Sequence, residues 1–264
     1  MAGDADWGGP EFTETAGTRM HAAVLGPSGA EPVVCVHGLG VSHRYFGPFA
    51  RSLAHEVRVV APDLPGFGRT AAPSRHVLDV RELSEALAKW LRATGRAGAV
   101  MVANSAGCQV VVDLAAHAPD LVGPVVLNGP TVDRHARSVP RQIVRLIANV
   151  PLERPSLGLL VARDYLSCGP RRVWGTFRCL LDDPVEGKLP AVQSRAVVVR
   201  GARDPVSSRA WAAEVAGLLP RGSLVEVPGA GHTLNYSAPE ELARITRELM
   251  RDAGNQTTQM KEES

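Results

Sequence analysis

Short apolar, largely β-branched runs recur along the chain at 32–36 (PVVCV), 57–61 (VRVVA), 99–103 (AVMVA), 124–127 (PVVL), 196–200 (AVVVR) and 223–227 (SLVEV). Most are nearly continuous rather than alternating, the pattern of strands buried on both faces of a parallel sheet. Helical patterns separate them. Between 80 and 94, Leu83, Leu87, Trp90 and Leu91 fall at i, i+4, i+7 and i+8, so one helix face is apolar before Gly95 stops it. Strand and helix in alternation predict a doubly wound α/β sheet.

The alternation breaks once. From 131 to 190 no strand pattern stands out, but helical patterns do, around 141–149, 157–166 and 171–181. Such an insertion predicts a helical cap over the C-terminal edge of the strands, where open α/β sheets bind ligands. The expected organisation is a core of 18–130 and 191–252, a cap of 131–190, and flexible tails at 1–17 and 253–264, which are polar or lack apolar periodicity. No internal repeat is visible, which excludes solenoids and propellers.

Composition narrows the partners. With 45% hydrophobic and 21% charged residues the chain has the balance of a globular protein. The 29 basic and 27 acidic residues leave a net charge of +2 and form no like-charge block. This argues against nucleic acid and against a polybasic membrane anchor, and leaves a small-molecule substrate as the expected partner; a homo-oligomer is compatible with the same balance. Cys35, Cys108, Cys168 and Cys179 lack zinc-site spacing and read as free buried thiols. The first residues, MAGDADWGGPEFTETAGT, carry acids where a secretory signal has bases, and no run reaches the roughly 18 apolar residues of a membrane span, so a cytoplasmic location is expected.

The candidate chemistry lies at strand ends. In VMVANSAGCQVVVDLAAHAP, Ser105 stands where a strand-like run turns into a helix-like one, with small residues, Ala103 and Gly107, two positions to either side. A serine on so tight a turn is pushed out above the sheet, and the following helix directs its N-terminal amides at any oxyanion formed there. A plain helix N-cap is the competing reading of the pentapeptide. His232 lies in a Gly-rich loop after an apolar strand, placed to act as base toward Ser105. Asp204, four residues beyond Arg200, is placed to orient that imidazole; a helix cap is the alternative role, and Asp133, which also follows a strand-like run, is the rival acid. The His37-Gly38-Leu39-Gly40 turn allows close backbone approach, and the amides of Leu39 and Ala106 are the expected oxyanion hole, with His37 bracing the loop. Asp63, in DLPGFG, reads as a turn-stabilising carboxylate. In the cap, Tyr165, Trp174 and Phe177 are candidates to line a substrate pocket, and Arg171 and Arg172 to receive an anionic group.

Taken in order, VVCVHGLG, VVAPDLPGFGRT, VANSAGCQVV, VVVRGARDPVSS and VEVPGAGHTLNYSAPEEL resemble the capped branch of the α/β-hydrolase superfamily, over most of residues 20–250. That branch includes carbon-carbon bond (meta-cleavage product) hydrolases, haloperoxidase-like esterases and epoxide hydrolases. The resemblance implies an α/β-hydrolase fold of about eight mostly parallel strands with a helical cap after the sixth, no cofactor, no metal, and attack by Ser105 in a triad with His232 and Asp204. Serine at 105 separates the chain from the epoxide hydrolases, which carry Asp there. Ala103 for a common Gly, Cys108 for a frequent Gly, Arg69 for a frequent Ser and Thr233 after the histidine depart from the pattern. The expected activity is hydrolysis of an ester, thioester or related acyl bond; carbon-carbon or perhydrolase-type chemistry on the same serine, and a non-catalytic ligand-binding role, are the alternatives.

Overall fold

Strand-forming runs and helices alternate along the computed structural model, which describes residues 7–262, with side chains through 254. The strands are β1 (Gly9–Thr15), β2 (Thr18–Leu25), β3 (Pro32–Val36), β4 (Arg58–Pro62), β5 (Val100–Asn104), β6 (Val125–Asn128), β7 (Ala196–Gly201) and β8 (Gly222–Val227). They form one sheet in the order β1-β2-β4-β3-β5-β6-β7-β8. The β1–β2 and β2–β4 pairings are antiparallel and the remaining five are parallel.

The helices are α1 (Gly47–Leu53), α2 (Val80–Ala93), α3 (Ala106–His117), α4 (Val139–Asn149), α5 (Pro155–Cys168), α6 (Pro170–Asp182), α7 (Val185–Lys188), α8 (Arg209–Leu218), α9 (Leu234–Ser237) and α10 (Pro239–Glu262). Helix α2 starts where Asp79 accepts the Glu82 amide and Glu82 accepts the Asp79 amide in return, which satisfies two N-terminal donors at once. The apolar runs of the central strands split by the period of two. Val34, Val36, Met101, Ala103, Val125 and Leu127 pack with α2, α3 and α8 on one face. Val33, Cys35, Val100, Val102, Val126 and Val199 pack with α1 and α10 on the other.

Between β6 and β7 the chain forms α4–α7 and no strand. The sequence boundary at 190 assigns α7 to the cap, yet Val185 and Leu189 belong to the core cluster that includes α3. The expected tails also need correction. Residues 9–15 are strand β1, whose alternating exposure hides it from a search for buried runs, and β2 follows after a two-residue turn. At the other end the backbone of α10 continues through Glu262. Residues 1–6 and 263–264 of the expected tails lie outside the described residues. No helix among the described residues is long and apolar enough to cross a membrane.

Register places the chemistry. Val36 pairs with Ala103, Asn104 with Asn128, and Asn128 with Val199, so the parallel strands end level. The segments that follow them, carrying His37, Ser105, Gly129 and Asp204, emerge along one edge.

Candidate active site

Ser105 joins β5 to α3 with φ 56° and ψ −122°, a backbone conformation costing a non-glycine residue about 1–3 kcal/mol. Its amide donates to the Asn128 carbonyl (3.0 Å) and its carbonyl accepts from Cys108 N–H (2.9 Å), which fixes the turn. The N-cap reading fails, because the serine side chain makes no capping hydrogen bond. Gly107 is required by proximity: a Cβ there would stand 2.4 Å from the Val36 carbonyl oxygen and 2.7 Å from that of His37. Ala103 is fully buried. Cys108 fills the space below the turn, its thiol 3.5 Å from the carbonyls of Ala103 and Asn128, and burial pushes its pKa far up. Cys108 and Cys35 are buried, but Cys168 and Cys179 are only half-buried.

His232 Nδ1 lies 2.8 Å from Asp204 Oδ2, and both residues are buried. Facing a carboxylate, Nδ1 carries the proton, which leaves Nε2 with its lone pair. Nε2 is buried and has no hydrogen-bond partner among the described residues. Asp204 Oδ1 accepts the amides of Val206 and Ser207, while α8 is capped instead by Ser208. Arg200 secures this loop, donating to the carbonyls of Ser207 (2.8 Å) and Asp204 (2.9 Å) and pairing with Glu226. The rival acid Asp133 is occupied elsewhere, with Arg145 at 2.6 Å and the Ser208 hydroxyl at 2.8 Å.

A second carboxylate, which the sequence did not mark, reaches the histidine loop from the cap. Glu153 Oε1 accepts Thr233 N–H (2.8 Å) and Asn149 Nδ2–H (3.2 Å), and Asn149 Oδ1 accepts His232 N–H (3.3 Å). Burial pulls the His232 pKa down, but the charge and hydrogen bond of Asp204, joined by the charge of Glu153, outweigh it, and the pKa stands above the ordinary histidine value. Three asparagines were also missed. Asn104 donates to the carbonyls of Asn128 and His232, Asn128 to Asn235, and Asn235 to the Tyr45 carbonyl. For Asn104 and Asn128 the signal was present, as a polar amide closing each of two otherwise apolar strands.

On the opposite side, Tyr45 accepts the Gly38 amide at 2.6 Å and so holds the His37-Gly38-Leu39-Gly40 turn. His37 donates from Nδ1 to the Gly38 carbonyl and accepts Leu64 N–H at Nε2. Both ring nitrogens are used, burial lowers its pKa, and the ring serves as a brace. Asp63 accepts from Nδ1 of His21 and His43 and from the amides of His43 and Arg69. Burial would raise its pKa, but the hydrogen bonds of the two histidines outweigh that and hold the carboxyl well below its usual range. The three side chains are spaced closely enough for a metal, but four N–H donors already saturate the carboxylate, as suits a structural knot.

Ser105, His232, Leu39 and Ala106 line one cavity of about 770 Å³ between sheet edge and cap. Asp204 lies behind the histidine, outside the lining. Of the cap aromatics, Tyr165 and Phe177 line the cavity, and burial pushes the Tyr165 hydroxyl up to about 12. Trp174 does not: the α6 period turns Thr176, Phe177 and Leu180 inward and leaves Trp174 half-exposed, stacked obliquely on Phe177 at 5.7 Å. The arginine pair is displaced as well. Neither Arg171 nor Arg172 reaches the cavity wall, and Arg172 packs against Gly66 of the DLPGFG turn. The remaining wall is largely aliphatic, including Leu146, Ile147, Val150, Leu159 and Val161.

Comparison with known proteins agrees with this fold. The profile of the alpha/beta hydrolase family matches residues 33–245. The magnesium-chelatase 30 kDa subunit of Rhodobacter capsulatus is 25% identical over 247 residues, covering 83% of this chain and 86% of that one. Esterase YbfF of Escherichia coli K12 is 22% identical over 244 residues, covering 84% and 93%. Among solved structures, a membrane phospholipase A described as a bacterial virulence factor superposes with a TM-score of 0.80 at 22% identity, covering 94% of this chain and 87% of that one; at this identity the likeness concerns the fold.

Proposed function

The chain belongs to the alpha/beta hydrolase family and is an enzyme, a hydrolase, and from that premise we propose that it cleaves an ester, thioester or related acyl bond of an apolar small molecule through Ser105, His232 and Asp204. The observation that carries the reading is the His232 ring. Its Nδ1 is committed to a buried carboxylate, and its buried Nε2, on the wall that also holds Ser105, has no hydrogen-bond partner among the described residues.

In this reading Nε2 takes the Ser105 proton as Oγ attacks the acyl carbon, and Asp204 stabilises the imidazolium that results. The carbonyl oxygen becomes an oxyanion facing the amides of Leu39 and Ala106, helped by the N-terminal end of α3. The bond to the leaving group then breaks, and the imidazolium returns the proton to it. Water enters, gives a proton to His232 and attacks the acyl-enzyme; the acid departs as the proton returns to Ser105. The aliphatic wall suits the apolar part of the substrate, and esterase activity in the Escherichia coli relative supports the acyl class. The test is labelling by a fluorophosphonate followed by peptide mass spectrometry: one adduct on Ser105 is expected, and an adduct elsewhere, or none, overturns the assignment.

Glu153 has a distinct expected effect. Neutral His232 is the active base, so a raised pKa makes kcat/KM fall off at a higher pH on the acid side than an unassisted histidine would give. Glu153→Gln keeps an oxygen for Thr233 N–H but removes the charge, and the acid limb is expected to move to lower pH with the plateau largely kept. A pH profile on a soluble ester checks it; an unmoved limb removes Glu153 from any electrostatic role.

Gly129 separates positioning from stability. A Cβ there, at φ +57°, would lie 2.8 Å from His232 Nδ1 and 2.9 Å from Cε1. Gly129→Ala is therefore expected to displace the ring and lower kcat by about 100-fold, with KM little changed and the protein still folded by circular dichroism.

A further inference from the structure

Every exposed large hydrophobic residue among those described, except Phe12, lies between 143 and 174, on the cap. Val144 and Ile147 on α4 and Val150 just after it are 64–70% exposed, and Leu159 and Leu166, 77% and 82% exposed, stand seven residues apart on one face of α5. Ile147, Val150 and Leu159 also line the cavity, so these outward-facing side chains form the rim of its mouth. Single exposed apolar residues need no explanation, but a contiguous patch around a cavity mouth marks an interaction surface.

Along the segment that carries the patch, the exposed charges are of one sign. From 139 to 178 there are seven arginines and two acids, Glu153 and Asp164. Neither acid faces out: Glu153 is tied to Thr233, and Asp164 is buried against Ser42 and Arg44. Arg141, Arg154, Arg163 and Arg171 are exposed. Arg141 and Arg154 donate to the carbonyls of His135 and Ser237, and neither pairs with an acid among the described residues. A second copy of the chain fits this surface poorly, since a two-fold contact would set arginine against arginine with no acid between. An anionic lipid surface supplies both an apolar layer and the opposite charge, and an amphipathic helical face with arginine flanks lies in such an interface.

We infer that the α4–α5 face of the cap docks on an anionic lipid surface and holds the cavity mouth against it. No polybasic block stands out in the sequence because the arginines are spread from 141 to 178 over α4, α5 and α6 and the turn before α5. Docking stands apart from the serine chemistry; that the docked enzyme draws an acyl amphiphile through the mouth rests on the reading above.

The test is flotation of the Ser105→Ala protein with vesicles. Co-flotation is expected with phosphatidylglycerol–phosphatidylcholine vesicles, at least tenfold weaker with phosphatidylcholine alone, and weakened by salt. Val144 and Leu166 lie outside the cavity wall, so Val144→Glu with Leu166→Glu in the wild-type background is expected to float at least tenfold less while hydrolysing p-nitrophenyl acetate at the parent rate. Absence of flotation, equal flotation of parent and double variant, or a dimer by light scattering that the double variant abolishes would overturn the inference. If vesicles bind but neither this ester nor a fluorophosphonate reacts, the reading of the site fails and the docking surface stands.

Discussion

Replacing Ser105 by Ala is expected to lower kcat on any accepted ester by about 10⁵- to 10⁶-fold, the scale seen when a serine nucleophile acting as part of a unit is removed. The reason is local. In the proposed mechanism no acyl-enzyme forms without Oγ, and neither the His232–Asp204 pair nor the backbone amides of the turn replace covalent attack. The substitution keeps a Cβ at φ 56°, so strain in the turn persists, and the melting temperature is expected to stay within a few degrees of wild type. Turnover by the purified variant near the wild-type rate would remove Ser105 from the mechanism.

Asp204→Asn is expected to lower kcat by about 10⁴-fold, equivalent to about 5 kcal/mol of transition-state stabilisation. The amide oxygen can still accept the Val206 and Ser207 amides, so the loop keeps its shape. Its NH₂ then faces Nδ1, the ring proton moves to Nε2, and the base has no lone pair toward Ser105. Asp133→Asn provides the contrast. Asp133 is bound to Arg145 and Ser208, so its loss is expected to lower the melting temperature and leave kcat within about tenfold. The reverse ranking would transfer the acid role to Asp133.

The parts of this protein that are legible in sequence are those written in local pattern. The elbow around Ser105 is readable because a strand, a serine between small residues and a helix follow within about twenty positions. His232 and Asp204 are readable because each follows an apolar strand at a short distance. Strand β1 was not, since its residues alternate in exposure and Phe12 is its one large apolar side chain. Glu153 and Asn235 were invisible for a different reason: their contacts with Thr233 and Tyr45 span 80 and 190 residues, and nothing near them in the chain announces those contacts. Trp174 failed through phase, because a helical turn shows that residues share a face without telling which face meets the cavity. The arginine and leucine surface of the cap likewise exists only after packing.

The two acids of the cap bear on how molecules enter and leave. Glu153, just before α5, is fastened to the histidine loop, and Asp164, near its far end, is fastened to Ser42 and Arg44 just after the His37-Gly38-Leu39-Gly40 turn. A roof pinned at both abutments behaves as a vault and not as a door. Traffic then goes through the skylight between α4 and α5, and product girth, more than the swing of a flap, is expected to set the pace of release.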